Sequence, residues 1–110
     1  MFIEWRRICG VKILDILVKN KYRYARVNKD HVIKVPKNIP VEDAAGIPEV
    51  WLTAYLNLRI LGNLTKNENV MIYAGASGVG TAAIQMVKWF GGNSYFTCST
   101  KEKIDFCKKY

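Results

Sequence analysis

Six consecutive residues, Gly75, Ala76, Ser77, Gly78, Val79 and Gly80, have the composition and spacing of a turn that holds a pyrophosphate. In the GxGxxG pattern the first glycine permits the tight turn, the second lets the backbone approach the phosphates, and the third lets helix and strand pack closely. Gly75 and Gly80 take the first and third positions, so the tight turn is expected at Gly75. Ser77 stands in the middle, where its Cβ takes space that the pattern leaves empty but its hydroxyl can donate to a phosphate oxygen. Gly78 beside it can compensate. A helix starting here adds free amide donors and the positive end of its dipole. The bland reading is a glycine-rich connection that binds nothing; the strand-like segment before it and the helix-like segment after it favour the anion site.

A second group follows Cys98. A dinucleotide fold ordinarily carries an Asp or Glu at the end of its second strand to accept hydrogen bonds from the adenosine ribose, and that acid repels a 2′-phosphate. Here Ser99 and Thr100 stand instead, with Lys101 and Lys103 close behind. Such a set can neutralise a phosphate and points to NADPH rather than NADH. The alternative for the two lysines is the solvated face of a short helix. Cys9, Cys98 and Cys107 make no CxxC, and the single histidine, His31, has no neighbour at ligand spacing. Zinc is therefore not expected, reduced thiols in a cytosolic chain fit better than a disulfide framework, and no catalytic residue is assigned.

These groups need a strand, a helix, a second strand and a second helix to position them. Residues 70–74, Val-Met-Ile-Tyr-Ala, are an apolar run without alternation, as in a parallel strand covered on both faces. From there Val79, Ala82, Ala83, Met86, Val87 and Phe90 step by three and four, and Gly91, Gly92 and Asn93 end that helix. Residues 95–98 read as the second strand. Ser99 and Glu102 have capping-box spacing for a last helix that runs to Tyr110. Upstream, Pro48 and Glu49 suit a helix start, Gly62 can supply a left-handed stop, and Trp51, Ala54, Tyr55, Leu58 and Leu61 mark one buried stripe. Residues 41–45 suggest a single helical turn. Residues 22–27 and 31–35 read as short strands around the turn-prone Asn28, Lys29 and Asp30.

Of the 110 residues, half are hydrophobic and about a quarter charged, the composition of one globular unit. Two βαβαβ halves need more chain than this, and residue 110 precedes even the third strand of the first half. The net charge of +8 is lopsided: residues 1–37 hold ten Lys/Arg against three acids, residues 38–100 three against four. Arg6, Arg7, Lys12, Lys19, Lys21, Arg23 and Arg26 are scattered, with no nucleic-acid motif, and read as solvated surface. The first twenty residues are interrupted by charges, which fits neither a membrane span nor a secretory signal; two acids and no serine disfavour a mitochondrial leader.

From Tyr22 onward the chain resembles the medium-chain dehydrogenase/reductase superfamily, and within it the zinc-free quinone oxidoreductases of the p53-inducible quinone oxidoreductase type. Residues 44–55, AAGIPEVWLTAY, are similar to that family's helix leading into the cofactor domain. Residues 74–85, AGASGVGTAAIQ, are similar to its phosphate turn, including the serine at Ser77. The resemblance implies an α/β fold: the incomplete first half of a Rossmann-type, doubly wound parallel sheet over residues 47–110, preceded over residues 1–46 by an N-terminal extension and the last strands of a GroES-like β domain. It implies NADPH as cofactor, with Thr53 near the nicotinamide, Gly75, Ala76, Ser77, Gly78, Val79 and Gly80 at the pyrophosphate, and Ser99, Thr100 and Lys103 around the 2′-phosphate. It also implies hydride transfer to a small-molecule quinone or conjugated carbonyl, with no nucleic acid and no membrane as partner, in the cytoplasm, by a parent enzyme that is a homodimer. The family's first domain forms most of the quinone pocket, so the chain reads as an interior fragment, or a truncated gene model, whose catalysis alone is not expected. The alternative is a non-catalytic nucleotide-binding or interaction module derived from such an enzyme. In residues 1–20 no part of the resemblance is recognised.

Overall fold

The computed structural model describes residues 2–4, 8–9, 24–26, 30 and 33–110. The chain divides into two compact units, Met1–Glu49 and Val50–Tyr110.

In the first unit, β1 (Phe2–Glu4) pairs antiparallel with β3 (Tyr24–Arg26), and β2 (Ile8–Cys9) with β4 (Ile33–Lys34). The two strands expected from sequence therefore appear as β3 and β4, and each pairs with a segment from the first ten residues. Tyr22, Val27, Asn28, Lys29 and His31 lie outside the described residues. The turn expected at residues 41–45 is α1 (Val41–Ala44), where the Pro40 carbonyl accepts the amides of Asp43 and Ala44 at 3.1 and 3.0 Å.

Helix α2 (Ile47–Tyr55) carries Pro48 one residue inside its start, where the missing N–H costs no helical bond, and Glu49 in its first turn. The single stripe expected through Leu61 is not formed. After Tyr55 the helix widens into a π-helical turn, Leu56–Leu61, closed by the Gly62 amide on the Asn57 carbonyl at 2.8 Å. The Asn57 side chain donates back to the Thr53 carbonyl at 2.8 Å. A π turn takes one more residue per hydrogen-bonded ring, so the later side chains rotate off the stripe. Ala54 is buried and Trp51 and Leu58 are half-buried, whereas Tyr55 is exposed and Leu61 is 71% exposed. Gly62 is not the left-handed stop: its φ is −82°, and Asn63 takes φ 50° instead. Glycine is needed at 62 because a Cβ would lie 2.8 Å from the Asn57 carbonyl oxygen.

The centre of the second unit is a βαβ unit. β5 (Asn69–Ile72) and β6 (Asn93–Phe96) lie parallel, with Met71 opposite Tyr95 and Ile72 opposite Phe96, and α3 (Gly78–Trp89) connects them. Both strands start earlier than the apolar runs suggested. Thr97 prolongs the ladder, its amide donating to Ile72 O at 3.0 Å and its carbonyl accepting the Gly75 amide at 2.9 Å. α3 buries Ala82, Ala83, Ile84, Met86 and Val87, although Val79, expected on the same face, is exposed. The helix ends as its glycines predict: Gly91 takes φ 76°, Gly92 N–H reaches Val87 O at 2.9 Å and Gly91 N–H reaches Lys88 O at 3.0 Å, a Schellman closure.

Two expectations for this unit are corrected. The strands are not covered on both faces: exposure alternates along them, and Met71 and Tyr95 share an exposed face. The last helix, α4 (Lys101–Cys107), is capped by Thr100, whose Oγ1 accepts the Lys103 amide at 3.4 Å. Glu102 then falls at the second helical position rather than the third, so the Ser99–Glu102 capping box does not form, and the helix ends before Tyr110.

Candidate functional site

Between β5 and α3 the chain turns through Ala74, not Gly75, as the left-handed residue, with φ 53°. The position costs an alanine about 1–2 kcal/mol, and the Ala74 amide is anchored by Thr97 Oγ1 at 3.1 Å. Gly75 is required for space instead, because a Cβ there would lie 2.8 Å from Phe96 Cβ. Gly80 plays the role its motif position predicts: a Cβ would lie 2.5 and 2.7 Å from the carbonyl oxygens of Ala74 and Gly75, so only glycine lets α3 rest on the strand end. Ser77 is the N-cap of α3, its Oγ accepting the Gly80 amide at 3.0 Å, while its carbonyl accepts the Thr81 amide at 2.9 Å. The hydroxyl proton stays free to donate. With the Gly80 amide taken by the cap, the amides of Gly78 and Val79 are the donors left at the head of α3 among the described residues. They sit at the positive end of the helix dipole.

A recess of about 450 Å³ opens beside this turn, lined by Ala74, Ala76, Ser77, Thr97, Cys98, Ser99 and Lys103. It lies at the carboxyl ends of two parallel strands, where open α/β sheets take their ligands. Ala76 and Ser77 of the turn thus meet Ser99 and Lys103 from beyond β6. Lys103 Nζ donates to Ser99 Oγ at 3.3 Å, which holds the ammonium at the strand end. No carboxylate is among the described residues that line it. Glu102, on the adjacent helical turn, has its carboxyl held below the usual glutamate range, first by its own backbone amide and then by the Thr100 hydroxyl.

The remaining sequence candidates are placed differently. Gly75 and Gly80 are buried, Gly78 and Val79 are exposed, Thr100 caps α4, and Thr53 is half-buried on α2; none of these lines the recess. Val50, one turn before Thr53, has its Cγ1 3.0 Å from where a Gly78 Cβ would be, so α2 packs against the head of α3. Ala74, Thr97 and Cys98 line the recess without having been singled out from sequence. Their signal was positional: each lies within two residues of the carboxyl end of a parallel strand.

The residues fit a dinucleotide, with glycine where a Cβ would fill the turn, two free amides for a diphosphate and a cation at the strand end. Toward a bound dinucleotide the arrangement can bind and orient, leaving the hydride chemistry to the bound group. Among the described residues no cluster of three or more His, Cys, Asp or Glu could hold a metal ion, and no helix is long and apolar enough to cross a membrane.

No family model matches the chain. It is 33% identical over 101 residues to the probable polyketide synthase 15 of Dictyostelium discoideum, which covers 88% of the chain but 3% of that protein. The structure of CurK enoyl reductase superposes with a TM-score of 0.74 and 31% identity over 79% of the chain and 26% of its own. The quinone oxidoreductase of Thermus thermophilus, solved also as its complex with NADPH, gives 0.70 and 30% over 74% of the chain and 28% of its own. An NAD-dependent alcohol dehydrogenase gives 0.77 and 30% over 82% of the chain and 26% of its own. The chain therefore spans about a quarter of these solved proteins. Over these stretches the chain is similar in sequence and in fold to enzymes of the medium-chain dehydrogenase/reductase superfamily, enoyl reductases and quinone oxidoreductases among them.

Proposed function

We propose that residues 47–110 bind NADPH as the first part of a cofactor domain, and that the parent enzyme transfers a hydride from NADPH to a conjugated carbonyl compound. The observation that carries this reading is the Lys103–Ser99 contact, 3.3 Å long, beside a phosphate turn in a recess whose described lining residues include no carboxylate. An acid at that strand end would favour the free ribose hydroxyl of NADH; an ammonium and a hydroxyl favour a 2′-phosphate. Since an NAD-dependent alcohol dehydrogenase has the same fold here, the strand-end residues, not the fold, discriminate. The Gly78 and Val79 amides and the Ser77 hydroxyl take the pyrophosphate, in the turn shaped by Gly75, Ala76 and Gly80. Ser99 and Lys103 take the 2′-phosphate with Thr100 beside them, and Thr53 lies toward the nicotinamide. NADPH supplies the hydride when bound; the protein orients it and excludes water.

For the acceptor, the same stretch matches a polyketide synthase in sequence and an enoyl reductase in structure, which supports an enoyl thioester. The serine in the turn and the Thermus neighbour support a quinone, as in the zinc-free, p53-inducible type. Both acceptors are conjugated carbonyls and take hydride in the same sense. A cytoplasmic homodimer is the parent form that goes with this reading.

The test is a calorimetric titration of the chain with NADPH and with NADH. NADPH should bind more tightly, and Lys103→Ala should weaken it about tenfold or more, since a charge-assisted contact contributes about 1.5–3 kcal/mol. NADH binding should hardly change. Equal affinity for the two cofactors, or an equal loss for both in the variant, overturns the assignment.

A further inference from the structure

Cys98 lies just beyond β6 on the wall of the recess, and Cys107 is the last residue of α4, 1% exposed. Both are free thiols, and their sulfurs are 3.6 Å apart, in direct contact. A dinucleotide phosphate gains nothing from either thiol, so the proposed cofactor site does not account for the pair. We infer that Cys98 and Cys107 are a covalent modification site, at which hydrogen peroxide converts the two thiols into a reversible disulfide.

The Cys98 sulfur attacks one peroxide oxygen, the O–O bond breaks, and a sulfenic acid forms on Cys98 as one water leaves. The Cys107 sulfur then attacks the Cys98 sulfur, the S–O bond breaks, and a second water leaves with the disulfide in place. Two thiols lose two electrons and two protons, and one peroxide is reduced to two waters. The order follows from access. Cys98 is half-buried and faces the recess, whereas burial, and secondarily its neighbour Cys98, pushes the Cys107 thiol up and keeps it protonated until the sulfenic acid stands beside it. Closure shortens 3.6 Å to about 2.05 Å. The loop so closed contains Ser99 and Lys103, so oxidation draws on the recess wall.

The experiment reads sulfur linkage rather than cofactor, and so stands apart from the NADPH reading. The full chain is treated with dilute hydrogen peroxide and its intact mass is measured; in a second portion the free thiols are alkylated and the chain is digested with trypsin. The expected result is an intact mass lower by about 2 Da, restored by dithiothreitol, and a linked pair of peptides, residues 89–101 joined to residues 104–108. Cys98→Ser abolishes the loss and Cys9→Ser leaves it unchanged. Oxygen added to Cys98, a gain of about 16 or 32 Da, with Cys107 still alkylated overturns the proposal; so does a disulfide that engages Cys9.

Discussion

Gly78 and Gly80 are two residues apart in one motif, yet they tolerate change very differently. A Cβ at position 80 meets two backbone carbonyl oxygens, at 2.5 and 2.7 Å, which cannot move without lifting α3 off the strand end. At position 78 it meets the Cγ1 of Val50, at 3.0 Å, and a methyl group at the end of a side chain can turn aside. Gly80→Ala should therefore lower unfolding stability by about 1–3 kcal/mol, the usual cost of overpacking, whereas Gly78→Ala should lower it by distinctly less. Urea denaturation of the two variants makes the comparison, and equal losses would show that the helix head is not seated on the strand end. The motif pattern foretold the need for glycine at 80. It could not say that the left-handed turn falls on Ala74, or that Gly75 is small because of Phe96, a residue 21 positions away.

α4 shows how little holds a short element. Its seven residues, Lys101–Cys107, are far below the roughly 12–15 that an isolated helix needs in water, so packing at Cys107 and the cap at Thr100 must stabilise it. Thr100→Ala should cost about 1 kcal/mol and Thr100→Ser much less, because only the alanine leaves the Lys103 amide without its acceptor. Glu102 adds a pH dependence of known sign. Its folded carboxyl titrates below the ordinary glutamate value, so its contribution is complete above about pH 4.3 and disappears as the pH falls through the lower folded value. Glu102→Gln should remove that part of the acid dependence. Thermal melts between neutral and acid pH test this, and unchanged curvature in the variant would remove Glu102 from the account. The sequence pointed to Ser99 as the cap; the extended backbone at Thr100, φ −137° and ψ 160°, makes Thr100 the cap instead.

At the scale of the whole molecule, the two-stranded sheet β5–β6 has α3 over one face and Met71 and Tyr95 exposed on the other, with Tyr73 80% exposed nearby. A two-stranded sheet is marginal by itself, and an uncovered apolar face invites association. The chain should bind 1-anilinonaphthalene-8-sulfonate and sediment above its monomer mass, and Met71→Lys with Tyr95→Glu, which sets opposite charges across the pair, should reduce both while changing unfolding stability by no more than about 0.5 kcal/mol per site. Unaltered dye binding in the double variant would mean the face is not the one exposed in solution. The sequence determined the strand–turn–helix–strand order, the α3 core positions Ala82, Ala83, Met86 and Val87, the Schellman stop at Gly91 and the absence of an acid after β6. These are local: periodicity, a glycine and a missing carboxylate act through neighbours a few residues away. Tertiary structure alone decided the π turn that pulls Leu61 off its stripe, the strain at Ala74, the exposed sheet face and the meeting of Cys98 with Cys107. Each depends on what lies across a strand or beneath a helix, and residues that meet there are held at van der Waals distance by packing that no spacing along the chain encodes.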